Sequence, residues 1–263
     1  MKKSDMSHRA DSNNWNEKQA RLSTSDFDFS AWTHIGYTRK SNQDRYVIKM
    51  LQDASVLFAI ADGLGGEGAG DLAAETIRSE IEKIVHIPLG EENQTLVRLA
   101  KVLDLQIRNK GQCEPDLNGM GSTLIIVLIR HSSAWWVHIG DSRLYLFRNS
   151  QLIQITEDQT LARFLMEENA LAPEQAPYHY SRHVMDQYVG CGYCEPESGA
   201  FDTVPGDLIV LASDGIHRHI SEEALSNALS YPSDSGQQCR DIVHSVLKSG
   251  GKDNLTIMIF HHR

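Results

Sequence analysis

Val56-Leu57-Phe58-Ala59-Ile60-Ala61-Asp62-Gly63-Leu64-Gly65-Gly66-Glu67-Gly68-Ala69-Gly70 reads as a strand that stops at a carboxylate. The apolar run has strand length, Asp62 ends it, and five glycines fall within the next eight residues before an amphipathic stretch opens. Glycine lets backbone approach a ligand closely, and a carboxylate fixed at a strand end is what a hard cation needs. Asp207-Leu208-Ile209-Val210-Leu211-Ala212-Ser213-Asp214-Gly215 repeats the pattern: an apolar strand, then Asp-Gly.

Outward from these two strands the chain alternates blocks of strands with pairs of helices. Before Val56 the sequence predicts an edge strand over 31–36 and a second strand over 45–50. After the glycines, Ala73, Ile77, Ile81, Ile84 and Val85 lie on one face of a helix over 71–85. Leu96, Leu99, Ala100, Leu103 and Ile107 do the same for a helix over 93–109. Strands follow over 122–129, 134–139, 144–147 and 152–155. The short connections at His131-Ser132-Ser133 and Arg148-Asn149-Ser150 are hairpin spacing and predict antiparallel pairing. A helix over 160–169 precedes the irregular stretch 171–199, rich in Pro, His, Tyr and Gly. A strand over 208–212, helices over 221–229 and 237–248, and a strand over 255–260 close the chain. Ser221 supplies an N-cap oxygen for the first of those helices. Strands in a meander between helix pairs imply antiparallel sheets covered by helices rather than βαβ units. The polar, aperiodic residues 1–30 read as a flexible N-terminal extension, and no domain boundary is apparent after Ser30.

The 263 residues are 41% hydrophobic and 23% charged, an ordinary globular composition. Lys and Arg number 25 against 35 Asp and Glu, a formal net charge of −10. That balance argues against nucleic acid as the main ligand and suits a site neutralised by cations. No apolar run approaches the ~18 residues of a membrane span. Lys2 and Lys3 lack the apolar stretch of a signal peptide, so a cytoplasmic protein is expected. The spacing of Cys113, Cys191, Cys194 and Cys239 gives no disulfide framework.

Asp62, Asp141, Asp214 and Asp253 each abut an apolar strand and a glycine or turn. Alone, each would be a turn residue. Four together suit Mg²⁺ or Mn²⁺, because carboxylates without histidine or cysteine partners favour hard ions over zinc. Two such ions can share a carboxylate and activate water for attack on phosphorus. An arginine is then needed to hold the phosphate; Arg39, five residues before Asp44, can grip two phosphate oxygens at once where Lys40 cannot.

Six motifs in order complete the pattern: Arg39-Lys40-Ser41-Asn42-Gln43-Asp44, Ala61-Asp62-Gly63-Leu64-Gly65-Gly66, Gly121-Ser122-Thr123, Gly140-Asp141-Ser142-Arg143, Ser213-Asp214-Gly215 and Asp253-Asn254. Over 33–260 the chain resembles the metal-dependent protein Ser/Thr phosphatases of type 2C, especially the compact bacterial members. The resemblance implies an α+β fold: a four-layer α-β-β-α sandwich, two antiparallel sheets face to face with helix pairs outside, forming a catalytic domain over 31–263. It implies that Asp62 bridges two Mn²⁺ or Mg²⁺ ions, that the Gly63 carbonyl ligates the second, and that Asp214 and Asp253 complete the first. Asp141, with Asp214, would hold a weaker third ion, Asp44 would contribute through water, and Arg39 would bind substrate phosphate. The catalytic residues would thus be Arg39, Asp62 and Asp214. Many relatives carry Glu where this chain has Gln43, which weakens the charge at the second ion. The stretch 171–199 would be the family's flap. Phosphorylated proteins would be the substrates of a monomer opposing a Ser/Thr kinase.

Other signals have simpler readings. Gly63-Leu64-Gly65-Gly66-Glu67-Gly68 satisfies G-x-G-x-x-G, but Asp62 would repel a pyrophosphate and no βαβ unit follows. Cys191-Gly192-Tyr193-Cys194 has no second pair with zinc spacing and no thioredoxin-like surroundings. Trp135-Trp136 places one ring on each face of a strand, as core packing does. Of the histidines at 179, 183, 217 and 219, His179 or His183 could protonate a leaving alkoxide. Two further functions compete with the phosphoprotein phosphatase: a pseudophosphatase that binds phosphoproteins without turnover, hinted at only by Gln43, and a hydrolase of small phosphoesters.

Overall fold

The computed structural model describes residues 15–66 and 68–263. Its strands are β1 (Glu17–Ser23), β2 (Phe27–His34), β3 (Asp44–Met50), β4 (Val56–Leu64), β5 (Gly121–Ser122), β6 (Leu124–Arg130), β7 (Ser133–Ile139), β8 (Arg143–Arg148), β9 (Gln151–Gln154), β10 (Glu197–Asp202), β11 (Leu208–Ala212) and β12 (Leu255–His262). The helices are α1 (Ala69–Lys83), α2 (Glu92–Cys113), α3 (Leu161–Glu167), α4 (Asp214–His217), α5 (Glu222–Ser230) and α6 (Ser235–Lys248). One sheet runs β1-β2-β12-β11-β8-β9 and the other β10-β7-β6-β4-β3, with β5 paired to β4. Every ladder is antiparallel.

The apolar runs that opened the reading are buried on both faces, which is why they lack polar alternation. In β4, Val56, Phe58 and Ile60 face the other sheet, while Leu57, Ala59 and Ala61 face α1 and α2. β6 divides in the same way, Ile125, Val127 and Ile129 inward and Leu124, Ile126 and Leu128 toward the helices. In the first sheet Ile209, Leu211, Met258 and Phe260 meet them, and Leu208, Val210, Ile257 and Ile259 pack under α5 and α6. Phe58 sits between Phe29 and Phe260, with ring centroids 4.8 and 6.0 Å away. Truncating a ring buried this way costs about 3–5 kcal/mol. Each helix turns one stripe inward: Ala73, Ile77 and Ile81 from α1, and Ile242, Val243 and Val246 from α6. The result is the four-layer sandwich.

Several boundaries differ from the sequence reading. The extension proposed for 1–30 gives way over 17–30, where β1 and the start of β2 lie; residues 1–14 lie outside the described residues. β1 is not legible in the sequence because it is an edge strand with mostly polar side chains, from which Ala20 and Leu22 alone join the inter-sheet core. β2 is therefore not an edge: it lies between β1 and β12. The strand placed at 122–129 is split into β5 and β6. β10 was missed at the border of the irregular stretch because alternate positions are exposed and Gly199 lies against the ring of Trp136. The meander over 122–155 is two hairpins in different sheets, and the chain crosses between sheets at Gly140-Asp141-Ser142.

Candidate active site

The end of β4, the start of β3, the crossing from β7 to β8, the end of β11 and the start of β12 all meet at one end of the sandwich. The β3–β4 register sets Asp44 opposite Asp62. Because Ala212 of β11 pairs with Ile257 of β12, the residues after β11 and before β12 are neighbours too, which brings Asp214 beside Asp253. Arg39, Gln43, Asp62, Gly63, Asp141, His183, Asp214, Arg218 and Asp253 line one cleft of about 190 Å³. A wider groove of about 690 Å³ between β1, β2 and α6 shares none of these residues and holds none of the strand-end aspartates.

The remaining motif residues fix the backbone under these carboxylates. The Thr123 amide donates to the Asp62 carbonyl at 2.9 Å, and the Asp62 amide donates to Thr123 Oγ1 at 3.1 Å. Thr123 Oγ1 also bonds Ser142 Oγ at 2.8 Å, tying the Asp62 turn to the Asp141 turn. Asn254 accepts from the Gln43 amide at 2.9 Å and donates to the carbonyls of Ile35 (2.9 Å) and Ser41 (3.0 Å), bracing the loop that carries Arg39. Gly63 and Gly70 explain two of the glycines: a Cβ on Gly63 would lie 2.2 Å from the Gly70 carbonyl oxygen, so only glycine lets α1 start this close to Asp62.

Asp44 is fully buried behind the cleft. Its Oδ2 accepts from Thr256 Oγ1 (2.6 Å) and Ser213 Oγ (2.9 Å), while Oδ1 has no hydrogen-bond partner among the described residues. Burial, reinforced by Asp214 and Asp253, pushes its carboxyl up to about 7. Burial and the neighbouring Asp44 and Asp214 raise Asp62 well above the carboxylate range. Asp141 is raised to about 7 by burial and Asp214, against the pull of Arg218. Asp214 is also raised, by burial first, with Arg218 opposing.

Two arginines engage these carboxylates. Arg39 forks onto Asp253, Nε to Oδ1 at 2.8 Å and Nη2 to Oδ2 at 2.9 Å. Arg218, on which the sequence reading was silent, reaches Asp141 Oδ2 through Nη2 at 2.5 Å and Asp214 Oδ2 through Nη1 at 2.9 Å. Helical phase was the signal that could have found it, since α4 sets Arg218 one turn after Asp214. His217 is driven down to about 4, chiefly by burial and then by Arg143, so the neutral ring donates from Nε2 to the Asp141 carbonyl at 2.9 Å. His183 reaches the cleft from the irregular stretch and accepts from Arg182 Nε at 2.8 Å on its Nε2. His179 instead bonds Ser181 and does not line the cleft. Cys191 and Cys194 are unbonded thiols buried in the core under α2.

The donor set fits divalent hard cations. Four aspartates line the cleft with two arginines, and Asp44, buried behind them with one unpartnered oxygen, brings the excess to three negative charges when all are ionised. Such charge is not stable in a buried site without protons or cations. As they stand the side chains are drawn to Arg39 and Arg218, and among the described residues no three His, Cys, Asp or Glu side chains converge as a closed cage. Admitting an ion at Asp253 requires the Arg39 fork to open.

Comparison with known proteins bears on what this cleft does. The family profile described as Protein phosphatase 2C matches residues 34–257. The chain is 31% identical over 235 residues to the serine/threonine protein phosphatase PstP of Mycobacterium tuberculosis, covering 88% of this chain but 44% of that protein. It therefore spans less than half the length of that relative. Protein phosphatase PhpP of Streptococcus pneumoniae is 29% identical over 238 residues, 88% of this chain and 96% of that protein. The catalytic domain of PstP, solved in complex with two manganese ions, superposes with a TM-score of 0.78 at 29% identity, over 90% of this chain and 98% of that one.

Proposed function

The chain belongs to the protein phosphatase 2C family, and from that membership we propose that it hydrolyses phosphoserine and phosphothreonine on proteins with Mn²⁺ or Mg²⁺ as cofactor. The observation that carries the reading is the buried excess of carboxylates at the joined strand ends. Asp62, Asp214 and Asp253 with the Gly63 carbonyl would hold two ions, and Asp44 would support them from behind. When bound, such ions supply Lewis-acid activation of water for attack at phosphorus and offset the charge of the phosphate. Arg39 swings from Asp253 to grip two phosphate oxygens, a match of fork to anion that its loop already presents at the cleft. Thr123 and Asn254 hold the Asp62 turn and the Arg39 loop in register, so nucleophile and phosphate meet in one orientation. The cleft contains no cysteine among the described residues, in keeping with direct attack by water rather than a thiol phosphoenzyme. His183 lines the cleft with Nε2 accepting from Arg182, so a neutral ring would carry its proton on Nδ1 and could offer it to the leaving alkoxide. The reaction that supplies the substrate is then phosphorylation by a Ser/Thr kinase.

Among the described residues no helix is long and apolar enough to cross a membrane. Gln43 is the one feature that favours a binding module over an enzyme, since a neutral amide lines the cleft there. Phosphate release from a phosphothreonine peptide, with Mn²⁺ and Mg²⁺ titrated against an EDTA control, tests the choice. Metal-dependent release that disappears in Asp214→Asn supports the phosphatase. Metal binding without release from several peptides overturns it, and release from free phosphoserine at equal rate redirects it to small phosphoesters.

A further inference from the structure

The type 2C resemblance implies a weak third ion between Asp141 and Asp214, and the residues present there do not fit one. The space between those two carboxylates is spanned by the guanidinium of Arg218, 2.5 Å from Asp141 Oδ2 and 2.9 Å from Asp214 Oδ2. We propose that Arg218 is a built-in cation that takes the place of a third metal ion in this chain, leaving Asp141 with a structural partner instead of a metal.

Three features fix the arginine in that role. Arg218 follows the single turn of α4, its amide donating to the Asp214 carbonyl at 2.9 Å, so its Cα sits one helical turn from the carboxylate it grips. The preceding residue holds the other partner: His217 Nε2 donates to the Asp141 carbonyl at 2.9 Å, which keeps the Asp141 turn against α4 while Arg218 takes its side chain. The Asp141 side chain is 3% exposed and that of Arg218 32% exposed, so the carboxylate is enclosed and the guanidinium closes it from the cleft side.

Competition then favours the arginine. A free ion entering here must break two charge-assisted contacts and displace a group tethered within the same turn, whose effective concentration is of the order of millimolar or more. An ion described as weakly held would lose that competition. An ion at Asp253, by contrast, has to open only the Arg39 fork, which holds a single carboxylate and does not bridge two ligands. That fork lies toward solvent, Arg39 being 52% and Asp253 27% exposed. Replacement of a dissociable divalent ion by one fixed positive charge also lowers the charge brought to the Asp141 side of the cleft and removes its dependence on metal concentration.

The inference rests on the two-ion reading above only for its baseline count. The test is the number of Mn²⁺ bound per chain at millimolar metal, by equilibrium dialysis and elemental analysis, for the wild type, Arg218→Ala, Arg218→Gln and Asp141→Asn, with circular dichroism to establish folding. Arg218→Ala and Arg218→Gln should each bind one ion more than the wild type, and adding Asp141→Asn to either should remove that extra ion. Asp141→Asn alone should leave the wild-type count unchanged. No gain in both Arg218 variants, or the loss of an ion from Asp141→Asn alone, overturns the proposal. The wild-type count itself reports on the two-ion reading, so that reading and the role of Arg218 can fail separately.

Discussion

Replacing Arg39 by alanine should move two affinities in opposite directions. The fork of Arg39 on Asp253 has contacts of 2.8 and 2.9 Å and lies toward solvent, with Arg39 52% and Asp253 27% exposed. An ion pair so exposed contributes about 0–1 kcal/mol. Deleting it frees Asp253 and should tighten Mn²⁺ binding by no more than ~5-fold on that scale. The same deletion removes a bidentate phosphate contact, and a hydrogen bond to a charged group contributes about 1.5–3 kcal/mol. Binding of a phosphopeptide should therefore weaken by ~10- to 150-fold, at 1.4 kcal/mol per factor of ten. The loss should appear mainly in KM, because the grip on the phosphate is made in the ground state as in the transition state.

Calorimetric titration of Mn²⁺ into metal-free protein would measure the first effect, and steady-state kinetics on a phosphothreonine peptide at saturating Mn²⁺ the second. Arg39→Lys separates charge from geometry, since lysine keeps the positive charge and loses the fork. It should fall between the wild type and alanine in KM. An unchanged or raised kcat/KM in Arg39→Ala would remove the phosphate role. Weaker Mn²⁺ binding in the same variant would refute the claim that the fork competes with the ion at Asp253.

Asp62→Asn should abolish turnover yet raise the thermal midpoint in EDTA, because one of the mutually repelling buried carboxylates is gone; the midpoint should rise roughly 2–4 °C for each kcal/mol of repulsion relieved. Added Mn²⁺, which should stabilise the wild type, should do so far less in this variant, and a lower midpoint in EDTA would contradict the repulsion. Arg130→Met should lower stability by about 3–5 kcal/mol in urea titration, since it leaves the Glu92 carboxylate, 4% exposed, buried without its cation. Asp53, which accepts from Ser55 and from Arg130 Nη2 (2.7 Å), is held down to about 2 by those bonds against the upward push of burial. Because its folded value lies below its unfolded value of 3.8, its contribution is complete above that value and fades as pH falls toward 2. The stability gap between the wild type and Asp53→Asn should thus be open at neutral pH and close in acid.

The sandwich was legible because its central strands announce themselves. Runs such as Leu57 to Ala61 and Leu208 to Ala212 are apolar at every position only because each is covered by a sheet on one side and helices on the other. The helices α1 and α6 were legible by their stripes. What stays hidden is the periphery: β1 and β10 bury half a face or less, so they carry little hydrophobic signal, and the polar β1 reads in sequence as part of a flexible extension. Which sheet each hairpin joins was hidden for a different reason. Local spacing sets antiparallel pairing within a hairpin, but the crossing at Asp141 is decided by long-range packing.

The site divides along the same line. Asp62, Asp141, Asp214 and Asp253 stood out because a carboxylate and a glycine or turn end an apolar strand, and the β3–β4 and β11–β12 registers with the β7–β8 crossing bring them into one cleft. Residues that act on those carboxylates from elsewhere left no such mark. Ser213 and Thr256 look like ordinary strand-end hydroxyls, yet both donate to Asp44 and decide which of its oxygens is left for the site. Arg218 lies in Ile216-His217-Arg218-His219, where a cation reads as surface charge until the helical turn and the sheet crossing place two aspartates on either side of it. A ligand can be read from its own surroundings in sequence, but a competitor for that ligand is defined only by the distance between them. The number of ions this cleft holds is therefore a property of its fold and not of its motifs.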